Sequence, residues 1–161
     1  MTDRTPEQDA VELLHEMGMT VSAAESCTGG LVCARLINVP GASDVLNEGF
    51  ITYSNEAKMK HLNVSAETLR EHGAVSAECA AEMASGLAEN TGADAAVSTT
   101  GIAGPGGGTD EKPVGLVYIG VCIKGETAVR EFHFEGDRMK VRTSAAEEAV
   151  KLLADCLRKR K

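Results

Sequence analysis

The sequence predicts an α/β fold: a three-layer α/β/α sandwich around a mixed, mostly parallel sheet. Three observations carry this reading. Segments with apolar residues at helical spacing alternate with short apolar segments that cannot hold a helix. One of these, Val114 to Ile123, is apolar on both alternating faces, with Leu116, Tyr118 and Cys122 on one and Val117, Ile119, Val121 and Ile123 on the other. A strand of that kind needs cover on both sides. It is followed by a tight Lys124-Gly125-Glu126 turn and an alternating segment, Val129 to Phe134, which makes a hairpin and at least one antiparallel pair.

The elements follow in order. Thr5, Pro6 and Gln8 read as an N-cap, a first-turn proline and a capping-box partner, with Val11, Leu14 and Met17 at helical spacing and Gly18 to close the helix. Thr20 to Ala24 is short and apolar, a buried strand. Glu25 to Gly30 turns into a helix that runs to about Leu36, and Pro40-Gly41 is a turn. Phe50 to Tyr53 is β-prone and reads as a strand end. Ser54 or Asn55 caps a short helix containing Lys58, and Ser65 opens another that ends before Gly73. Ser76 caps a long Ala- and Met-rich helix that closes at Asn90-Thr91-Gly92, and Ala95 to Thr100 is the next strand. Gly101 to Gly108 is too glycine-rich for a regular element, and Asp137 opens the last helix, whose Arg158 to Lys161 end places cations at its C-terminus.

Composition narrows the function classes. The 161 residues suit one domain, 1–161, with a core of Val, Leu, Ile, Met and Ala, since there is no Trp. A net charge of −8 argues against nonspecific nucleic-acid binding but not against a small anion held by a few placed donors. No apolar run is long enough for a bilayer, and the polar, then amphipathic start is not a signal peptide. The five cysteines form no C-x-x-C pair, which suits reduced thiols in a cytoplasmic protein. The four scattered histidines lack the spacing of a metal site.

Three segments could carry chemistry. In Glu25 to Gly30 a polar cluster sits where a strand hands over to a helix, so Ser26 could be a nucleophile with backbone amides as its oxyanion site. Ser26 or Thr28 could equally be a helix cap. In Tyr53 to Lys58, a lysine in a first helical turn faces the positive end of the helix dipole and becomes less basic, as a general base requires. A solvated lysine and a half-buried tyrosine are the alternative. Thr99 to Gly108 fits neither a P-loop nor a dinucleotide fingerprint, yet its glycines let backbone approach a ligand. It could also be a surface loop. Arg138 and Arg142 share one helix face and could close on a phosphate or pair with Glu135 or Glu147.

The order and wording of these segments resemble the CinA C-terminal domain family. The stretches that carry the resemblance are Ala24 to Gly30, Pro40 to Ser43, Thr52 to Lys58, Gly73 to Ser76, Thr100 to Gly107, Lys112 to Gly115, and Gly136 to Arg138 with Val141-Arg142. Together they span nearly the whole chain. Active members of that family deamidate nicotinamide mononucleotide to nicotinate mononucleotide and ammonia, without metal or redox cofactor. The resemblance implies a serine nucleophile at Ser26, a lysine base at Lys58 acting directly or through Tyr53, a ligand-loop threonine at Thr100 and a helix arginine at Arg142. Around them Cys27, Thr28, Gly29, Gly101, Gly104, Gly106 and Arg138 are the expected substrate contacts, with Arg142, and Arg138 as second candidate, holding the phosphate. It also implies a stand-alone form without the N-terminal domain of larger relatives. The expected partner is a small pyridine nucleotide, with no nucleic acid or membrane, and a homodimer is compatible. The rivals are a non-catalytic pyridine-nucleotide sensor, an amidase for another small amide, and a thiol enzyme in which a helix N-terminus activates Cys27.

Overall fold

Five of the six α-helices among the described residues, 3–161, start on a side chain that accepts the otherwise unpartnered amides of the first turn. In this computed structural model Thr5 caps α1 (Pro6–Met17) with the full capping box to Gln8. Ser54 caps α3 (Asn55–Leu62), Ser65 α4 (Ala66–Glu71), Ser76 α5 (Ala77–Thr91) and Asp137 α6 (Arg138–Arg158). The exception is α2 (Leu31–Ile37), whose N-cap Gly30 has no side chain to offer. Gly18 and Gly92 close α1 and α5 in the left-handed conformation, as glycine readily does.

The strands are β1 (Val21–Glu25), β2 (Leu46–Ile51), β3 (Ala95–Gly101), β4 (Leu116–Ile123) and β5 (Glu126–His133), in the order β2-β1-β3-β4-β5. β1 pairs parallel with β2 and β3, while β4 pairs antiparallel with β3 and β5, so four of the five strands run one way. The sheet is mixed and mostly parallel in direction, as expected. β2 starts earlier than its β-prone residues suggest: Leu46 to Gly49 join it, and Thr52 and Tyr53 lie beyond its end. It is a sheet edge with mostly exposed positions, where polar Asn47 and Glu48 cost little.

Alternation along the buried strands divides the core. Val21, Ala23, Ala95, Val97 and the odd-numbered residues of β4 pack against α1, α2 and α6. Ala24, Ala96 and Cys122 pack against Leu62, Met83 and Leu87 from α3 and α5. These are the three layers. The α5 side lies close to the sheet: Ser98 Oγ donates to Ala80 O at 2.6 Å, and a Cβ on Gly120 would meet that same oxygen at 2.7 Å. No helix among the described residues is long and apolar enough to cross a membrane.

Gly86 sets how α3 meets α5. A Cβ there would lie 1.6 Å from the carbonyl oxygen of Leu62, and backbone cannot rotate out of the way. Gly86→Ala is expected to destabilise the fold by about 1–3 kcal/mol through overpacking, despite alanine's better helix propensity. Denaturant unfolding of the two proteins measures it.

Candidate active site

The three parallel strands end on the same side of the sheet. From β1 the chain leaves through α2 on one face to reach β2, and from β2 it returns through α3, α4 and α5 on the other face to reach β3. Strand order therefore reverses between β1 and β3, and ligands of open α/β sheets bind at such a switch point, beyond the strands' carboxyl ends. Ser26 sits there, directly after β1, with its amide bonded to Thr99 O at 3.1 Å.

Lys58 reaches the same point from α3. It is 1 % exposed, which is unusual for lysine. Its Nζ donates to Thr52 O at 2.7 Å and to Ser26 Oγ at 3.0 Å. Both partners are neutral oxygens, so neither repays the lost hydration of an ammonium. Burial pushes the Lys58 pKa below the ordinary lysine value, against a smaller opposing effect of the Cys79 and Cys27 thiols. Residues 32 positions apart in sequence are thus brought within hydrogen-bond distance of each other.

The pair lines a cavity of about 260 Å³, with Cys27, Tyr53, Asn55, Thr100, Gly101, Gly104, Gly106 and Arg138 among its walls. The glycines have physical reasons to be there. A Cβ on Gly101 would lie 2.6 Å from the Val117 side chain, and Gly104, at φ +81, would meet Val114 at 2.3 Å. Thr100 Oγ1 donates to Ala74 O at 2.7 Å, tying the β3 end to the loop before α5. A larger groove of about 620 Å³ runs between β2 and α2, but its lining contains no paired nucleophile and base. Its Cys33 thiol is pushed up to about 12, mainly by burial.

Several expectations need correction. The amides at the start of α2 are not free for a ligand. Glu25, fully buried, takes them: its carboxylate accepts from Val32 N at 2.8 Å, Cys33 N at 3.1 Å and Thr28 Oγ1 at 2.6 Å. Glu25 is the remote cap of a helix that begins on a glycine, and the missing local cap was its only signal in the sequence. The Thr28 hydroxyl also bonds Thr99 Oγ1 at 2.8 Å, so its side chain is structural, and the Gly29 amide is used by Ser26 O at 3.2 Å. The amides of Cys27 and Thr28 donate to no other described residue; Cys27 lines the cavity, whereas Thr28 is wholly buried and does not.

Tyr53 does not stand between lysine and serine. Lys58 contacts Ser26 directly, while Tyr53 is 64 % exposed and its hydroxyl accepts from Arg138 at 3.1 Å. Arg142 does not line the cavity. Its Nε and Nη2 donate to the carbonyls of Cys27 and Thr28 at 2.9 and 3.1 Å, which leaves Arg138 as the arginine at the cavity mouth. The thiol alternative also weakens, because burial pushes Cys27 up to about 11, opposite to the lowering a helix N-terminus would bring. No group of three His, Cys, Asp or Glu side chains among the described residues could hold a metal ion.

Comparison with known proteins agrees with the fold and the family. A family profile described as the CinA C-terminal domain matches residues 3–157. A competence-damage inducible protein of Clostridium perfringens is 63% identical over 139 residues, which is 86% of this chain and 34% of that protein. The chain thus spans about a third of the length of the curated relatives it matches. Among solved structures, competence damage-inducible protein A of Klebsiella pneumoniae superposes with a TM-score of 0.91 at 35% identity, covering 98% of this chain and 100% of that one. The competence/damage inducible protein of Agrobacterium tumefaciens gives 0.89 at 39% identity, covering 98% of each chain.

Proposed function

Because the chain belongs to the CinA C-terminal domain family, we propose that it is a serine–lysine amidohydrolase that deamidates nicotinamide mononucleotide. The observation that carries this is the 3.0 Å contact between a buried Lys58 and the hydroxyl of Ser26. Neutral Lys58 takes the proton of Ser26 as Oγ attacks the carboxamide carbon. The carbonyl oxygen becomes an oxyanion, for which the amide of Cys27, a residue that lines the cavity, is the nearest candidate donor. The tetrahedral adduct then expels ammonia, which leaves with the proton returned by Lys58. Water, deprotonated by the same amine, hydrolyses the acyl ester and frees Ser26. The pyridinium charge of the substrate withdraws electrons from the carboxamide and eases the attack.

The cavity is slightly below the roughly 300–1,000 Å³ usual for small-molecule sites. It suits the nicotinamide ring, with ribose and phosphate emerging past its mouth. Ammonia release is the test, measured on the mononucleotide, its riboside, free nicotinamide and free glutamine. Release from the mononucleotide with little from the others is expected. Binding without release would make the protein a sensor, and preferential release from glutamine would make it another amidase.

Arg138 is then the group for the phosphate. Its guanidinium bonds Gly104 O at 2.8 Å and the Tyr53 hydroxyl at the cavity mouth, and it is exposed enough to turn to an anion. A charge-assisted hydrogen bond contributes roughly 1.5–3 kcal/mol, about ten- to a hundredfold in affinity. Arg138→Ala is expected to lower kcat/KM on the mononucleotide by about that factor while changing the riboside little. Equal losses on both would move the phosphate contact elsewhere.

A further inference from the structure

We infer that Asn55 is a specificity residue of this cavity: its side-chain carbonyl accepts from the amino group of a substrate carboxamide, so that the site takes an amide in preference to the matching ester. The inference rests on the amidohydrolase reading of Ser26 and Lys58. Three observations lead to it. Asn55 lines the same cavity as that pair. It is the first residue of α3 and stands three positions ahead of Lys58, so the two share a helix face. Of the oxygen- and nitrogen-bearing side chains on the cavity wall, it alone makes no hydrogen bond among the described residues. Ser26 and Lys58 bond each other, Tyr53 and Arg138 bond each other, and Thr100 bonds Ala74 O.

The fold makes no use of that side chain. Asparagine is a poor helix former whose usual return is a cap, because its carbonyl competes for nearby backbone amides. Here Ser54 is the cap, its hydroxyl accepting from Ala57 N at 3.1 Å. The Asn55 amide is left at the cavity with both a donor and an acceptor to offer. A carboxamide entering the cavity brings two N–H groups that were bonded to water, and each one left unmet costs binding. Two of the backbone acceptors nearby are engaged, Thr52 O by Lys58 Nζ at 2.7 Å and Ala74 O by Thr100; Asn55 Oδ1 is not. Its place also suits the chemistry. Lys58 reaches back past the start of α3 to Thr52 O and returns its proton to the leaving nitrogen. An N–H held by Oδ1 keeps that nitrogen oriented as it turns pyramidal, so that its lone pair meets the proton. A carboxylate in the same place would favour the protonated lysine, whereas a neutral amide accepts without adding charge. An ester has no N–H to offer, so Asn55 does nothing for it.

The experiment compares Asn55→Ala and Asn55→Asp with the wild type on nicotinamide mononucleotide and on the methyl ester of nicotinate mononucleotide. In both reactions the bond from Ser26 Oγ to the carbonyl carbon forms, the C–N or C–O bond breaks, and Lys58 passes the serine proton to the ammonia or methanol that leaves. Both give the same acyl enzyme, which water hydrolyses to the same product, so the ratio of the two kcat/KM values reports acylation alone. Asn55 is exposed and alanine suits a first helical turn, so the variants are expected to fold. Asn55→Ala is expected to lower kcat/KM about tenfold on the amide and less than about twofold on the ester. Asn55→Asp keeps an acceptor, and on the alkaline plateau it is expected to stay within about threefold of the wild type on the amide. Equal losses on amide and ester, or no loss on the amide, would overturn the inference and leave the amidohydrolase reading standing. An aspartate variant as slow on the amide at that plateau as the alanine variant would overturn it as well. A wild type that releases no ammonia from the mononucleotide would overturn the amidohydrolase reading and this inference with it.

Discussion

Ser26→Ala is expected to abolish deamidation, lowering kcat by about 10⁴–10⁶, the range seen when a hydrolase loses its nucleophile and keeps only binding and oxyanion stabilisation. The fold should survive. Among the described residues the Ser26 hydroxyl has one partner, Lys58 Nζ, and that amine keeps its bond to Thr52 O. Substrate affinity should survive as well, because the glycine loop and Arg138 are untouched. The neighbouring thiol does not take over. Burial pushes the Cys27 pKa up to about 11, so the thiol keeps its proton at neutral pH. Cys27→Ser should therefore retain activity near that of the wild type. Ammonia release by both variants decides the matter: an active Ser26→Ala or a dead, folded Cys27→Ser would transfer the nucleophile to sulfur.

Much of the scaffold around this serine could be read from local sequence, because it is built from local interactions. The caps at Thr5, Ser65, Ser76 and Asp137 act within three or four residues of themselves, and Gly18 and Gly92 need only their own backbone conformation. The two-sided apolar pattern of β4 reports its two packed faces in the same way. What could not be read is set by tertiary contact. β2 recruits Asn47 and Glu48, poor strand formers, because β1 supplies its ladder and its other edge is open. Glu25 looks like part of a polar motif, but its position in register with Val21 and Ala23 turns it toward α2, where it replaces the cap that Gly30 lacks. Arg142 and Arg138 are one helical turn apart, and nothing in that spacing says that one turns to the backbone of the turn after Ser26 while the other reaches the cavity. Ser26 and Lys58 stand out by their places at helix starts as well as by motif resemblance, which also marks Thr100; the 3.0 Å separation of the first two is a product of the fold.

Lys58→Met is expected to lower kcat by about 10²–10⁴, the usual contribution of a placed general base, and to remove the dependence of rate on alkaline pH. Wild-type kcat/KM should rise as Lys58 loses its proton and level off at a pH below the roughly 10.4 of a free lysine, because burial favours the neutral amine. Lys58→Arg should be as inactive as the methionine variant, since a guanidinium keeps its proton throughout that range. The same burial has a consequence for stability. Between the lowered folded pKa and the ordinary unfolded one, the unfolded chain binds more protons, so wild-type stability rises with pH across that window and is lowest beneath it. Methionine fills similar space without a charge. Lys58→Met should therefore melt higher than the wild type at neutral pH, with the gain shrinking as pH climbs toward about 10.4. Melting temperatures of the two proteins from pH 7 upward give the comparison. A variant that is less stable at pH 7, by a margin that does not change with pH, would mean that the buried lysine carries no desolvation penalty. Its amine would then be protonated at working pH and could not accept the proton of Ser26.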